Sequence, residues 1–215
     1  KRVLVAGMAR SGVAAAKLAV ASGAQVTVTD RKSAEALGDA LRELDALPIR
    51  RMLGVDTEEA LGDAQVLVLS PGIPSDTPFV VHAREKGMEV VGELEFAARV
   101  NQNLLLAVTG TNGKTTTVTL LGRIFENAGR RVHVAGNIGY PLSAAVMDSK
   151  KGDVMVAEVS SFQLETTERF HPRAAAVLNV TEDHLNRHGT MEKYTALKRH
   201  VFDAQHEGDV AVLNY

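Results

Sequence analysis

The run with the clearest chemistry is Gly110-Thr111-Asn112-Gly113-Lys114-Thr115. It follows an apolar stretch, Leu104–Thr109, and opens a helical pattern at Lys114. Such a loop turns backbone N–H groups toward phosphate oxygens. Its lysine offers a point charge to the terminal phosphates, and its threonine hydroxyl suits Mg2+. The fit to G-x-x-x-x-G-K-[ST] is incomplete, because Val108 stands at the first glycine position and the loop takes the tighter form G-x-x-G-K-T. A nucleoside triphosphate is the expected ligand. Downstream, Val154-Met155-Val156-Ala157-Glu158 is an apolar stretch ending in a carboxylate. In phosphate-loop enzymes a second strand of this kind carries an acid to the metal. The competing reading of Glu158 is an acid at a helix start. A third polar cluster, Asn179 to His188, follows the apolar stretch Ala174–Leu178. His184 lies within it and is read as functional. His188 is read as structural rather than functional, and the remaining histidines as structural or solvated.

A second glycine loop, Gly7-Met8-Ala9-Arg10-Ser11-Gly12, lies between an apolar stretch and a helical pattern. It resembles G-x-G-x-x-G with Ala9 at the middle glycine. The helix start offers N–H groups and partial positive charge to an anion, and an acid about 20 residues on, here Asp30, suits a ribose hydroxyl. The loop reads either as a phosphate site or as a turn kept for packing. Ala9 counts against the close pyrophosphate approach that an NAD-dependent oxidoreductase requires. Ser70-Pro71-Gly72-Ile73-Pro74 follows another apolar stretch. It is either a plain turn or a ligand loop in which Gly72 permits close approach.

The elements that must position these loops alternate regularly. Arg2–Ala6, Gln25–Thr29, Gln65–Leu69, Leu104–Thr109, Arg131–Ala135, Val154–Ala157, Ala174–Leu178 and Val210–Leu213 read as strands. They show little alternation of apolar and polar residues, the mark of strands covered on both faces in a parallel sheet. Helical patterns cover Gly12–Ser22, Ala34–Leu47, Asp76–Lys86, Lys114–Asn127 and Glu192–Gln205. The expected fold is α/β: a Rossmann-like N-terminal unit over 1–92, then an incomplete P-loop ATPase unit over 93–215, with mostly parallel sheets. The hinge is placed at Gly92-Glu93.

The chain has 215 residues, 24 basic against 26 acidic side chains, 45% hydrophobic and 23% charged residues, and no Cys or Trp. The near-neutral charge leaves no footprint for nucleic acid. The absence of Cys excludes a disulfide scaffold, a thiolate zinc site and a cysteine nucleophile. No apolar run approaches the ~20 residues that span a bilayer, so no membrane association is expected and the cytoplasm is the default compartment. The sequence starts without Met inside one strand and stops inside another, so a piece of a longer protein is expected.

Taken together, Gly110 to Thr116, Gly136-Asn137-Ile138-Gly139, Glu158-Val159-Ser160-Ser161-Phe162-Gln163-Leu164-Glu165 and Asn179-Val180-Thr181-Glu182-Asp183-His184 resemble the Mur ligases along the whole chain and in order. Ser70-Pro71-Gly72-Ile73 and the Ser-Ser-Phe-Gln-Leu-Glu run are nearest the branch that adds D-glutamate to UDP-MurNAc-L-Ala. The resemblance implies ATP and Mg2+ as cofactors, an acyl phosphate formed on the substrate carboxylate, and amide-bond formation in peptidoglycan synthesis. It also implies the roles of individual residues. The first loop with Arg10 and Ser11, together with Asp30, Arg31 and Gly72, would hold the UDP part of the substrate. Arg31 departs from the family's common residue. Asn137 and Ser160 would contact the muramoyl-alanine part. Gly110, Thr111, Asn112, Gly113, Lys114, Thr115 and Thr116 would bind ATP. Thr115 and Glu158 would bind Mg2+, and His184 a second metal. Lys198 matches the lysine that the family carbamylates and is expected to point toward Glu158 and His184; from pattern alone it is a solvated helix lysine. Lys114, His184 and Lys198 form the expected catalytic set. The family extends further, through the rest of the ATPase domain and a C-terminal domain. This chain is therefore expected to be a monomer that binds substrate without ligating it. The alternatives are another Mur-type ligase, a folylpolyglutamate synthase relative, or a non-catalytic module that binds the UDP-substrate.

Overall fold

The computed structural model describes residues 1–55 and 58–214; Tyr215, the last residue of the expected second unit, lies outside the described residues. The first sheet contains β1 (Arg2–Ala6), β2 (Gln25–Asp30), β3 (Ile49–Leu53), β4 (Val66–Leu69) and β5 (Glu89–Gly92) in the order β3-β2-β1-β4-β5. All its pairings are parallel. Its helices are α1 (Arg10–Ala21), α2 (Ala34–Leu37), α3 (Asp39–Arg42) and α4 (Pro78–Glu85). The second sheet contains β6 (Leu104–Thr109), β7 (Val132–Gly136), β8 (Val154–Glu158), β9 (Ala174–Val177) and β10 (Val210–Leu213) in the order β10-β9-β6-β8-β7. It too is parallel throughout. Its helices are α5 (Glu93–Val100), α6 (Lys114–Asn127), α7 (Leu142–Asp148), α8 (Ser161–Leu164), α9 (Leu185–His188) and α10 (Met191–Arg199).

The central strands are continuous apolar runs because both faces are covered: β4 and β8 are buried at every residue. The expected strands all form. Two more were not read. β3 carries Arg50 and Arg51 on an edge, where half-exposed positions admit charge. β5 is short and begins with Glu89, which pairs with Arg99. The helix expected over Ala34–Leu47 is instead two short turns, α2 and α3, parted by Gly38 at φ 43°. Positive φ at Gly38 stops the helical hydrogen-bond ladder.

The two sheets share packing. Leu18 of α1 belongs to the same buried cluster as Leu94, Leu105, Leu142 and Met155, and Phe96 packs against the cores on both sides. Arg10 donates to the Gly139 carbonyl at 3.3 Å, so the first glycine loop touches a loop of the second unit. In each sheet the first strand, β1 or β6, sits between neighbours that lead away in opposite directions. This leaves a crevice at the strands' carboxyl ends, where open α/β sheets bind ligands. The glycine loops occupy those crevices.

Close approach at the first loop is tightest at one residue. A Cβ on Gly12 would lie 1.8 Å from the Gly7 carbonyl oxygen. Gly12→Ala should therefore destabilise the chain by about 1–3 kcal/mol or more, although alanine is the better helix former by about 1 kcal/mol. Urea denaturation measures this, and an unchanged or raised midpoint would refute the packing argument.

Candidate active site

Seven site segments lie at the carboxyl ends of strands: Gly7 after β1, Asp30 ending β2, Ser70 after β4, Gly110 after β6, Gly136 ending β7, Glu158 ending β8 and Asn179 after β9. At the phosphate-type loop, Gly113 takes the left-handed conformation (φ 84°) and starts α6. No side chain caps that helix. The N–H groups of its first turn, Lys114, Thr115 and Thr116, have no acceptor within the helix and present partial positive charge. Asn179 braces the loop in two directions: its carbonyl side-chain atom accepts from Asn112 N–H at 2.9 Å, and its Nδ2 donates to the Asn112 carbonyl at 3.0 Å. Thr111 N–H donates to the Asn179 backbone carbonyl at 3.0 Å, and Thr181 N–H donates to Thr111 Oγ1 at 3.0 Å.

Two lysines converge here. Lys114 Nζ donates to the carbonyls of Gly110 (2.9 Å) and Thr111 (2.8 Å). Lys198 Nζ donates to the same Gly110 carbonyl at 2.9 Å and lies 4.5 Å from the centre of the Tyr194 ring. Lys198 is 2% exposed, so the reading of a solvated helix lysine is excluded. Burial, and next the charge on Lys114, lower its pKa to about 8. Its hydrogen bond goes to the loop carbonyl, with none to Glu158 or His184 among the described residues, because a buried ammonium needs a hydrogen-bond acceptor and Gly110 supplies one.

Glu158 is 2% exposed. One carboxylate oxygen accepts from Thr115 Oγ1 at 2.7 Å, and the other accepts from Asn137 Nδ2 at 2.9 Å. Asn137 N–H also donates to the Glu158 backbone carbonyl at 2.9 Å. A hydroxyl and a carboxylate in contact form a hard-oxygen donor pair suited to Mg2+. The structure therefore brings together Thr115 and Glu158 of the expected metal set. His184 and Lys198 have no bond to that pair, and the described residues contain no group of three or more His, Asp or Glu side chains gathered for a metal. His184 is exposed and is the one non-glycine residue with positive φ (53°) among the described residues. Its ring lies 5.0 Å from that of Phe162.

A cavity of about 590 Å³ runs from the first glycine loop to the second unit, lined in part by Arg10, Ser11, Gly72, Asn137, Gly139 and Gln163. That volume suits a ligand of nucleotide-sugar size. Asp30 spends its carboxylate on the loop, accepting from Met8 N–H at 2.7 Å and Lys32 N–H at 2.9 Å. Arg31 lines a neighbouring cavity of about 210 Å³ with Asp30, Gly72 and Phe79. Gly72 faces open space. Ser160 caps α8 in a reciprocal pair with Gln163. Asn179, Tyr194 and Glu165 were given no role from sequence. Their contacts join segments far apart in the chain; Asn179 and Glu165 fall within the quoted motifs, but those motifs assign them no contact, and no local motif includes Tyr194.

Comparison with known proteins now fits this geometry. Residues 108–215 match the Mur ligase middle domain, and residues 1–92 match the Mur ligase MurD-like N-terminal domain. The chain belongs to the Mur ligase family. It is 49% identical over 215 residues to the UDP-N-acetylmuramoylalanine–D-glutamate ligase of Caldanaerobacter subterraneus subsp. tengcongensis, covering all of this chain and 48% of that protein. The chain spans about half the length of the curated relatives it matches. The fold also matches a crystal structure of the UDP-N-acetylmuramate:L-alanyl-gamma-D-glutamyl-meso-diaminopimelate ligase from Neisseria meningitides, with TM-score 0.65, 20% identity, and 100% and 71% of the two chains covered. The UDP-N-acetylmuramate–alanine ligase of Thermotoga maritima gives TM-score 0.58 at 20% identity, with 99% and 48% covered.

Burial of Lys198 has a consequence for stability. Its folded pKa of about 8 lies below the ordinary lysine value of 10.5. Between these values the unfolded chain holds a proton that the folded chain has released, so stability rises with pH. Below about pH 8 both states hold the proton and the contribution is flat. Relative to Lys198→Met, the chain should gain about 3 kcal/mol between pH 8 and 10.5, measured by denaturant unfolding across that range. Parallel pH profiles would show that Lys198 is not perturbed.

Proposed function

We propose that this chain supplies the substrate-binding and phosphate-binding parts of an ATP-dependent ligase that joins D-glutamate to UDP-MurNAc-L-Ala in peptidoglycan synthesis. Residues 1–92 form the unit that grips the nucleotide-sugar, and residues 93–215 form the unit that grips ATP. The observation that carries this reading is the position of Asn137. It lines the cavity beside the first glycine loop and also donates to Glu158, the carboxylate that touches Thr115 of the phosphate loop. A substrate seated in the cavity thus ends beside the loop that holds the phosphoryl donor. The names of the curated relatives support the same reading.

A carboxylate is a poor electrophile at neutral pH. ATP bound with Mg2+ would supply the phosphoryl group that makes it an acyl phosphate, leaving ADP, and attack by the D-glutamate amine would then expel phosphate. The chain's own residues bind and orient. The α6 N–H groups and Lys114 face the phosphates, with Lys114 exchanging its carbonyl partners for phosphate oxygens. Thr115 and Glu158 offer hard oxygen to Mg2+. His184, exposed beside Phe162, offers an imidazole nitrogen for a second metal. The lowered pKa of Lys198 raises the fraction of neutral amine, the form that adds CO2 and releases a proton to become a carbamate. Arg10 and Ser11 face the diphosphate, and Gly72 leaves room for the nucleoside. Among the described residues no helix is long and apolar enough to cross a membrane. We place the reaction in the cytoplasm and the chain as a monomer. Ligation requires more than these 215 residues.

A valine at position 72 would project into open space beside the cavity, so the variant should fold. Calorimetry should show UDP-MurNAc-L-Ala binding to the unaltered chain and weaker binding to Gly72→Val, by at least about tenfold or ~1.4 kcal/mol. Equal affinities would remove Gly72 from the site, and no binding to either chain would refute the substrate assignment.

A further inference from the structure

Glu165 closes the Ser-Ser-Phe-Gln-Leu-Glu run, and nothing above gives it a role. Its side chain is largely buried, and groups from two directions converge on its carboxylate. Arg187 donates through Nε at 3.1 Å and Nη2 at 2.8 Å, a two-point fork. Ser75 Oγ, from the loop that follows Gly72 in the first unit, donates at 3.3 Å. His188 Nδ1 faces the same carboxylate at 3.7 Å, while its Nε2 pairs with Ser161 Oγ at 2.9 Å. The His188 ring is stacked between Phe162 and Tyr194, at 5.2 and 5.4 Å.

These contacts surround a strained turn. His184 holds φ 53°, a conformation that a non-glycine residue keeps only when its surroundings over-determine it. The carbonyl of His184 accepts from the N–H groups of Arg187 and His188, at 3.0 and 3.1 Å. The two residues that close the turn through their backbones are therefore the two whose side chains meet Glu165. A forked arginine–carboxylate pair fixes orientation as well as distance. Arg187 also lies over the Phe162 ring, at 5.5 Å, which fixes its plane.

We propose that Glu165 is a positioning residue: through the fork to Arg187 it holds the His184 turn in place, and through Ser75 it ties that turn to the substrate loop of the first unit. The inference rests on the reading of His184 as a metal-side group in the proposed ligase site. Glu165 touches neither metal nor nucleotide and acts only through the turn.

The test is calorimetric binding of a non-hydrolysable ATP analogue to the chain, with and without Mg2+. Glu165→Gln should weaken binding about tenfold in Mg2+ and leave metal-free binding within about twofold. Arg187→Gln should do the same, and the double variant should be no worse than either single change, because both remove one interaction. A residue that merely supports the fold would lower both affinities together, and that result would overturn the proposal. So would variants that bind like the unaltered chain in Mg2+. If a single variant fails to fold with its partner charge unpaired, the neutral double variant carries the same comparison. Mg2+-independent binding by the unaltered chain would instead refute the metal reading of the site itself, an outcome distinct from failure of the Glu165 variants alone.

Discussion

Two ammonium groups share one carbonyl oxygen at Gly110. Lys114 and Lys198 each approach it at 2.9 Å, so their charges lie no more than about 6 Å apart. At an effective dielectric of about 20 the repulsion at that distance is about 3 kcal/mol. Neither lysine is paired with a carboxylate by a hydrogen bond or ion pair among the described residues. The loop between them adds the unbonded N–H groups of the α6 start. Positive charge is gathered at a cost, and a polyanion relieves it. The braces from Asn179 and Thr181, the burial of Lys198 on the loop-facing side of α10 and the ring of Tyr194 all hold that arrangement in place.

In the proposed reading the rest of the molecule brings a second ligand to this charge. Parallel sheets direct every strand's carboxyl end the same way within each unit, so the loops that bind are collected at one end. Shared packing through Leu18 and Phe96 then joins the two units. Asn137 is where the two proposed sites meet, with its backbone and side chain both on Glu158 and its surface in the cavity. A displaced Glu158 would disturb Thr115 on one side and the cavity wall on the other.

Much of this was legible in the residues. The strand at Leu104–Thr109 and the helix at Lys114–Asn127 form at the expected bounds, because an apolar run, a glycine loop and a helical pattern succeed one another without conflict. The contact of Thr115 with Glu158 follows from register: β6 lies beside β8, with Val108 opposite Glu158. Less legible was whatever depends on edges or on distant contacts. β3 escaped because two arginines mask an edge strand. His188 read as a bland histidine and is indeed buried, but its place between two rings and against Ser161 could not be inferred from neighbours in the chain. Lys198 was singled out by family likeness, while its orientation toward Gly110 is a property of α10 packing over the loop.

The most direct test is a crystal structure of the chain with Mg2+ and a non-hydrolysable ATP analogue. The Lys114 ammonium should leave the Gly110 and Thr111 carbonyls for the phosphate oxygens, while Thr115 Oγ1 and the Glu158 carboxylate move from their mutual hydrogen bond to the metal's coordination sphere. A nucleotide bound with its phosphates away from the α6 start, or a Lys114 still folded onto its own loop beside a bound triphosphate, would contradict the assignment of this loop as the ATP site.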